Sequence, residues 1–156
     1  MPQVLRVISL FVVAIWLGAT VFFTLGVGPG LFSAEVLQLV PRYHVGRVAQ
    51  VLLRSFFWLQ IACAGLSVLL MLAGWAYASR PPRRWVLGLL AALTALVLLG
   101  GESIQPRLRD LHAVMYAPDT TLDQKTAATQ GFRRWHAVSQ IGNLFVLLGV
   151  VVYFIH

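Results

Sequence analysis

The sequence predicts an all-α integral membrane protein: a four-transmembrane-helix bundle with helices 2, 3 and 4 extended beyond the membrane on one side. Three observations carry that expectation. Of the 156 residues, 59% are hydrophobic and 11% charged, with a mean hydropathy of +0.81, a balance foreign to soluble domains. Four stretches, 7–27, 55–77, 85–101 and 137–155, are long and apolar enough to cross a bilayer. Hydrocarbon offers backbone N–H and C=O groups no partner, so each stretch must satisfy itself as a helix. Two of the three connections run to about thirty residues, too long for plain loops in a compact bundle, and carry helical periodicity of their own. The spans consume most of the chain, so residues 1–156 form one domain without a separate soluble unit.

Only Arg6 precedes span one, whose apolar run is too long for a secretory signal and is followed by no small-x-small cleavage site; it reads as a retained span. Next, RYHVGRVAQVLLR (42–54) places Val45, Val48, Ala49, Leu52 and Leu53 on one helical face and Tyr43, Arg47, Gln50 and Arg54 on the other. This amphipathic helix runs directly into span two. Pro41 suits its first turn, where a missing N–H costs nothing. ASRPPRR, with Arg80, Arg83 and Arg84, makes a tight basic turn between spans two and three. Beyond span three, ESIQPRLRDLHAVMY repeats Leu108, Leu111 and Val114 or Met115 at helical spacing, and Pro106 is expected to kink the helix as it leaves the bilayer. APDTT breaks the chain. Thr120 with Asp123 then resembles a capping box, from which a last helix runs through Gly131 into span four.

All three extensions leave on the same side and form a basic collar. That side carries Arg42, Arg47, Arg54, Arg107, Arg109, Lys125, Arg133 and Arg134, against Arg6, Arg80, Arg83 and Arg84 on the other. The positive-inside rule therefore predicts a cytoplasmic collar with both termini outside. Arginines facing lipid headgroups also account for the net charge of +7 and the pI near 10.8. No basic run interleaved with aromatics is present, so membrane lipid is the expected partner and nucleic acid is not. The single cysteine, Cys63, lies mid-span, which rules out an intramolecular disulfide and a paired-cysteine zinc site.

The chemistry-bearing residues concentrate near span four. Phe132, His136, Ser139 and Asn143 recur at intervals of four, three and four, one face of a helix. An amide turned toward lipid is costly, so His136, Ser139, Gln140 and Asn143 are expected to form an inward polar face. Gln60, Cys63, Ser67 and Gly74 give span two a small polar edge, and the expected contact is a lock between spans two and four. A substrate path is the competing reading, but neither span has a mid-depth charge to drive transport. Glu102 is the one carboxylate at a span boundary, and a boundary ion pair with Arg54, Arg133 or Arg134 is expected. His44, His112 and His136 lie on the collar side. None has another histidine, cysteine or carboxylate at i+3 or i+4, so they read as hydrogen-bonding histidines at helix contacts and no metal is expected. GVGPG follows a helix and contains proline, which spoils a phosphate cradle.

WLGATVFFTLGVGPGLF (16–32), QPRLRDL (105–111) and FRRWHAVSQIGNL (132–144) together resemble the transmembrane protein 205-like family, a bacterial membrane domain of unknown function. The resemblance covers essentially the whole chain in the same order. Trp16, Gly18, Pro29, Phe32, Pro106, Phe132, His136, Ser139, Asn143 and Leu144 are the matching positions. At the start of span two, relatives have a proline and an aromatic where this chain has LLRSFF, with Phe56 or Phe57 in the aromatic's place. The resemblance implies a multi-pass protein of a bacterial inner membrane and brings a fold with almost no chemistry. A histidine-bearing four-helix bundle with Trp-x-Gly also resembles copper-resistance D-like domains and the membrane-bound protoporphyrinogen oxidase. Two function classes follow: a non-enzymatic bundle binding a lipid, a small amphiphile or another membrane subunit, for instance as a transport accessory, or a haem- or metal-linked redox protein using interfacial histidines. The first, without a cofactor, is the preferred reading.

Overall fold

The computed structural model describes residues 3–78 and 81–155, so the expectation placed on Arg80 lies outside the described residues. Among the described residues, six of the seven α-helices and two π turns make four long helical runs joined antiparallel. The first run is α1 (Gln3–Phe22), a π turn (Phe23–Val27) and α2 (Gly28–Leu31); a short α3 (Ala34–Leu39) follows. Uninterrupted, α4 (Arg42–Ala78) joins the amphipathic segment to span two. The third run is α5 (Arg84–Leu99), a second π turn (Gly100–Ile104) and α6 (Gln105–Tyr116), and α7 (Leu122–Ile155) is the fourth. All four runs are long and apolar enough to cross a membrane.

Each span packs on its neighbours in sequence, and span four closes the ring against span one. Short connections make consecutive helices antiparallel neighbours. Spans two and four consequently sit diagonally, which corrects the expectation that they lock together. The core draws on every span: Val12, Val13 and Trp16 from the first, Cys63 and Ala64 from the second, Leu90, Leu93 and Val97 from the third, and Val146 and Val150 from the fourth. Phe11, Leu69, Ile141, Phe145 and Leu148 point outward and stay exposed. In lipid this carries no penalty, so van der Waals fit, not apolarity, decides which face turns inward. Glycine supplies part of that fit, since a Cβ on Gly149 would come within 2.6 Å of the Leu93 side chain and one on Gly131 within 3.2 Å of Leu111.

The two π turns share a cause. Pro29 and Pro106 each follow one by two residues, and the carbonyls their rings would crowd, four residues back, belong to Leu25 and Glu102 inside the turns. Widening to five-residue bonding, seen as Gly28 N–H to the Phe23 carbonyl and Gln105 N–H to the Gly100 carbonyl, relieves the clash without breaking the run. The interruption expected at Pro106 takes this form. Span two buttresses both turns. Phe56 stacks on Phe23 at 4.2 Å between centroids, and the Phe57 ring occupies the space beside Gly100 that a Cβ would fill.

The start of α7 differs by one residue from the expected capping box. Thr121 N–H donates to Gln124 Oε1 at 3.0 Å, and Gln124 N–H donates to Thr121 Oγ1 at 3.3 Å. Glutamine reaches back where the shorter Asp123 would not. Thr120 instead closes α6, its hydroxyl donating to the Ala117 carbonyl at 2.9 Å. The sequence reading missed α3. Its signal was Ser33, whose hydroxyl accepts from the Val36 N–H at 3.4 Å as an N-cap.

Candidate functional site

Where the collar meets the spans, the end of span one, the amphipathic half of α4, α6 and the entry to α7 enclose a cavity of about 330 Å³. Phe23, Leu31, Leu53, Leu108 and Met115 give it apolar walls, while Arg42, Gln50, His112 and His136 add polar groups. That composition, mostly apolar with a few convergent polar groups, characterises small-molecule sites. The first π turn shapes one wall. By re-aiming the chain before Pro29, it brings Phe23 and Val27 to the cavity, with Phe32 from the following bend.

A row of rings organises the polar side. Phe132 stacks on His136 at 5.8 Å and an interplanar angle of 10°; His112 meets Phe132 at 6.2 Å, Tyr116 at 4.8 Å and Tyr43 at 5.8 Å. These rings come from α4, α6 and α7, so the cluster ties the collar together. His112 is buried against Gly46, where any Cβ would run into its ring. It lies beyond the apolar part of its run. Burial, and then the positive charge of Arg47, holds its imidazole below the usual range, so it is neutral at pH 7 and able both to donate and to accept. His136 is exposed toward the cavity. Among the described residues no group of three histidine, cysteine or acidic side chains is arranged to hold a metal ion.

The polar stripe of span four divides between two cavities. Phe132 and His136 line the one just described; Ser139 and Asn143 line a second, of about 310 Å³, deeper in the bundle beside Gln60. Asn143 Nδ2 donates to Thr24 Oγ1 at 2.7 Å, and the Thr24 hydroxyl in turn donates to the Thr20 carbonyl at 2.6 Å. The partner is therefore span one, not span two. Gln140 is exposed and faces away from the stripe, contrary to the inward expectation. Ser67 and Gln60 do point inward, 1% and 2% exposed, but Ser67 Oγ, Gln60 Nε2 and Trp16 Nε1 have no hydrogen-bond partner among the described residues.

The expected ion pair does not form. Glu102 is exposed, sharing a shallow cavity with Arg54 and Arg109 without an ion-pair contact, and Arg133 and Arg134 are exposed on the neighbouring run. Holding two long, exposed side chains together gains little. Among the described residues the ion pair found is Arg109 with Asp110, at 3.9 Å and well exposed. Of the remaining motif positions, Trp16 is fully buried in the core, Gly18 faces open space, Pro29 is exposed and Pro106 half-buried at the second π turn. Trp135 turns off the stripe and carries the Arg107 guanidinium 5.8 Å from its ring centroid.

Four apolar helical runs in an antiparallel ring, with a boundary cavity between collar and spans, define a multi-pass membrane bundle. Residues 11–117, more than half of the chain, match the family model described as a domain of unknown function, DUF4149, and the chain belongs to that family. No curated protein and no solved structure matches the chain.

Proposed function

We propose that the protein binds a small anionic amphiphile at the boundary cavity, its tail among Phe23, Leu31, Leu53, Leu108 and Met115 and its head near Arg42 and the two histidines. The observation that carries this reading is the composition of the cavity: mostly apolar walls, which include Phe23 and Val27 from the end of span one, with Arg42, Gln50, His112 and His136 as its few polar groups. Arg42 supplies a permanent charge, and the neutral His112 supplies a hydrogen bond without adding repulsion against Arg47. Binding, rather than catalysis, is the role we assign. Resemblance to the transmembrane protein 205-like family favours a bacterial inner membrane, with the collar in the cytoplasm by the distribution of arginine and lysine.

The test is thermal unfolding of the detergent-purified protein with and without dodecanoate, using dodecanol as the uncharged control. A ligand at a hundred times its Kd stabilises by about 2.7 kcal/mol. The midpoint should rise with dodecanoate, and His136→Phe should keep the unliganded midpoint while losing most of the rise. An equal rise in His136→Phe and in Arg42→Gln would sink the reading.

A further inference from the structure

We propose that the second cavity, bordered by spans two, three and four, is a separate intramembrane site for a bilayer-dissolved molecule with an apolar body and one carbonyl oxygen, held by the Gln60 side-chain amide. Gln60 lies on the diagonal from span four, yet it shares this cavity with Ser139 and Asn143. Its Nε2 has no hydrogen-bond partner among the described residues, and the residue is only 2% exposed. An amide donor left bare at that depth is expensive, because hydrocarbon cannot replace the water it lost. The missing partner is an acceptor.

The cavity is built to admit one from the side. Gln60, Val97 and Val146 are buried and form its floor, whereas Ile141 and Phe145, at its mouth, are exposed on the lipid-facing surface of span four. A molecule entering there comes from the bilayer. The second π turn opens the space, since Gly100 and Ile104 both line it and Phe57 packs against Gly100 where a side chain would stand. π turns recur at ligand sites because they displace one turn of helix from its neighbours. A carbonyl suits Gln60 Nε2 because it accepts without demanding an acceptor in return, and one of the two amide N–H groups of Asn143 is already committed to Thr24. Ketones and quinones carry that chemistry. The site is distinct from the boundary cavity, whose polar groups are histidines and an arginine at the collar.

The experiment uses the full chain in lipid nanodiscs and two photoreactive probes of equal length: an alkyl benzophenone, which carries the carbonyl, and an alkyl diazirine, which lacks it. Crosslinked peptides are mapped by mass spectrometry. Benzophenone should label residues 96–104 and 138–146, while the diazirine spreads over the lipid-facing positions. Gln60→Leu, close in size and freed of the bare amide, should keep or raise the thermal midpoint. It should also cut benzophenone labelling of those peptides about tenfold, with diazirine labelling unchanged. Gly142 lines the cavity with open space at its Cβ position, so Gly142→Leu should extend into the site and abolish the benzophenone signal. Equal labelling in wild type and Gln60→Leu would overturn the proposal, as would persistence of the signal in Gly142→Leu, or labelling centred on residues 23–32 and 108–116 around the boundary cavity.

Discussion

Asn143 and Thr24 form a hydrogen bond between side chains of distant helices, 119 residues apart in the chain, and it joins span four to span one. Such bonds inside membranes contribute about 0.6 kcal/mol on average and up to about 1.7. Asn143→Leu and Thr24→Val should each lower the unfolding free energy by roughly that amount, and the double variant should lose little more than either alone; strict additivity in a double-mutant cycle would show that the bond contributes nothing. His112 yields a pH dependence. Its imidazole titrates below the ordinary value in the folded protein, so the unfolded chain takes up the proton first as pH falls through about 6.5. Stability should decline below that point until the folded imidazole titrates as well. Thermal midpoints measured between pH 8 and pH 5 should fall more steeply for wild type than for His112→Gln. At this scale residue type was legible in the sequence and partnership was not: the reading that turned Asn143 inward supplied span two as its partner, because nothing local to either helix reveals which neighbour it meets.

Among elements, the helix ends and glycine contacts are the testable features. Thr121→Ala removes the hydroxyl half of the α7 capping box and should cost about 1 kcal/mol. Thr120→Ala leaves that box intact and should cost less, which chemical denaturation of the two variants would compare. Gly149 and Gly142 lie on the same helix with opposite surroundings. A methyl at Gly149 meets Leu93, whereas one at Gly142 meets nothing within 4 Å. Gly149→Ala should therefore destabilise by about 1–3 kcal/mol through forced separation of α5 and α7. Gly142→Ala should be neutral, or favourable by up to about 1 kcal/mol from helix propensity. Matching losses in thermal unfolding would mean that the α5–α7 contact is looser than the structure shows. The π turns belong to this scale too. Pro29 and Pro106 announce a disturbance in the sequence, and the π turns are the form it takes, with Phe56 stacked on Phe23 and Phe57 packed beside Gly100.

For the molecule as a whole, the distribution of basic residues sets the expected orientation: eight on the collar side, four on the other. A reporter active only outside the cytoplasm, fused after His156, should be active, and one that works only in the cytoplasm should be silent there. The opposite pattern would invert the bundle and place the boundary cavity at the outer leaflet. Family membership adds no chemistry to this picture, since the matched domain is itself described as of unknown function.

By itself the sequence determined the four spans, the amphipathic run into span two, the helical character of the collar and the polar face of span four through Ser139 and Asn143. All of these follow from composition and 3.6-residue periodicity, which act along one helix at a time. Tertiary structure decided the ring order that places spans two and four on a diagonal, the division of the polar stripe between two cavities, the burial of His112 against Gly46 and the failure of Glu102 to pair. The physical reason is that lipid removes the hydrophobic contrast between the inner and outer faces of a span. Which face turns inward then depends on shape and on individual hydrogen bonds between helices, and those are properties of pairs that no single helix encodes.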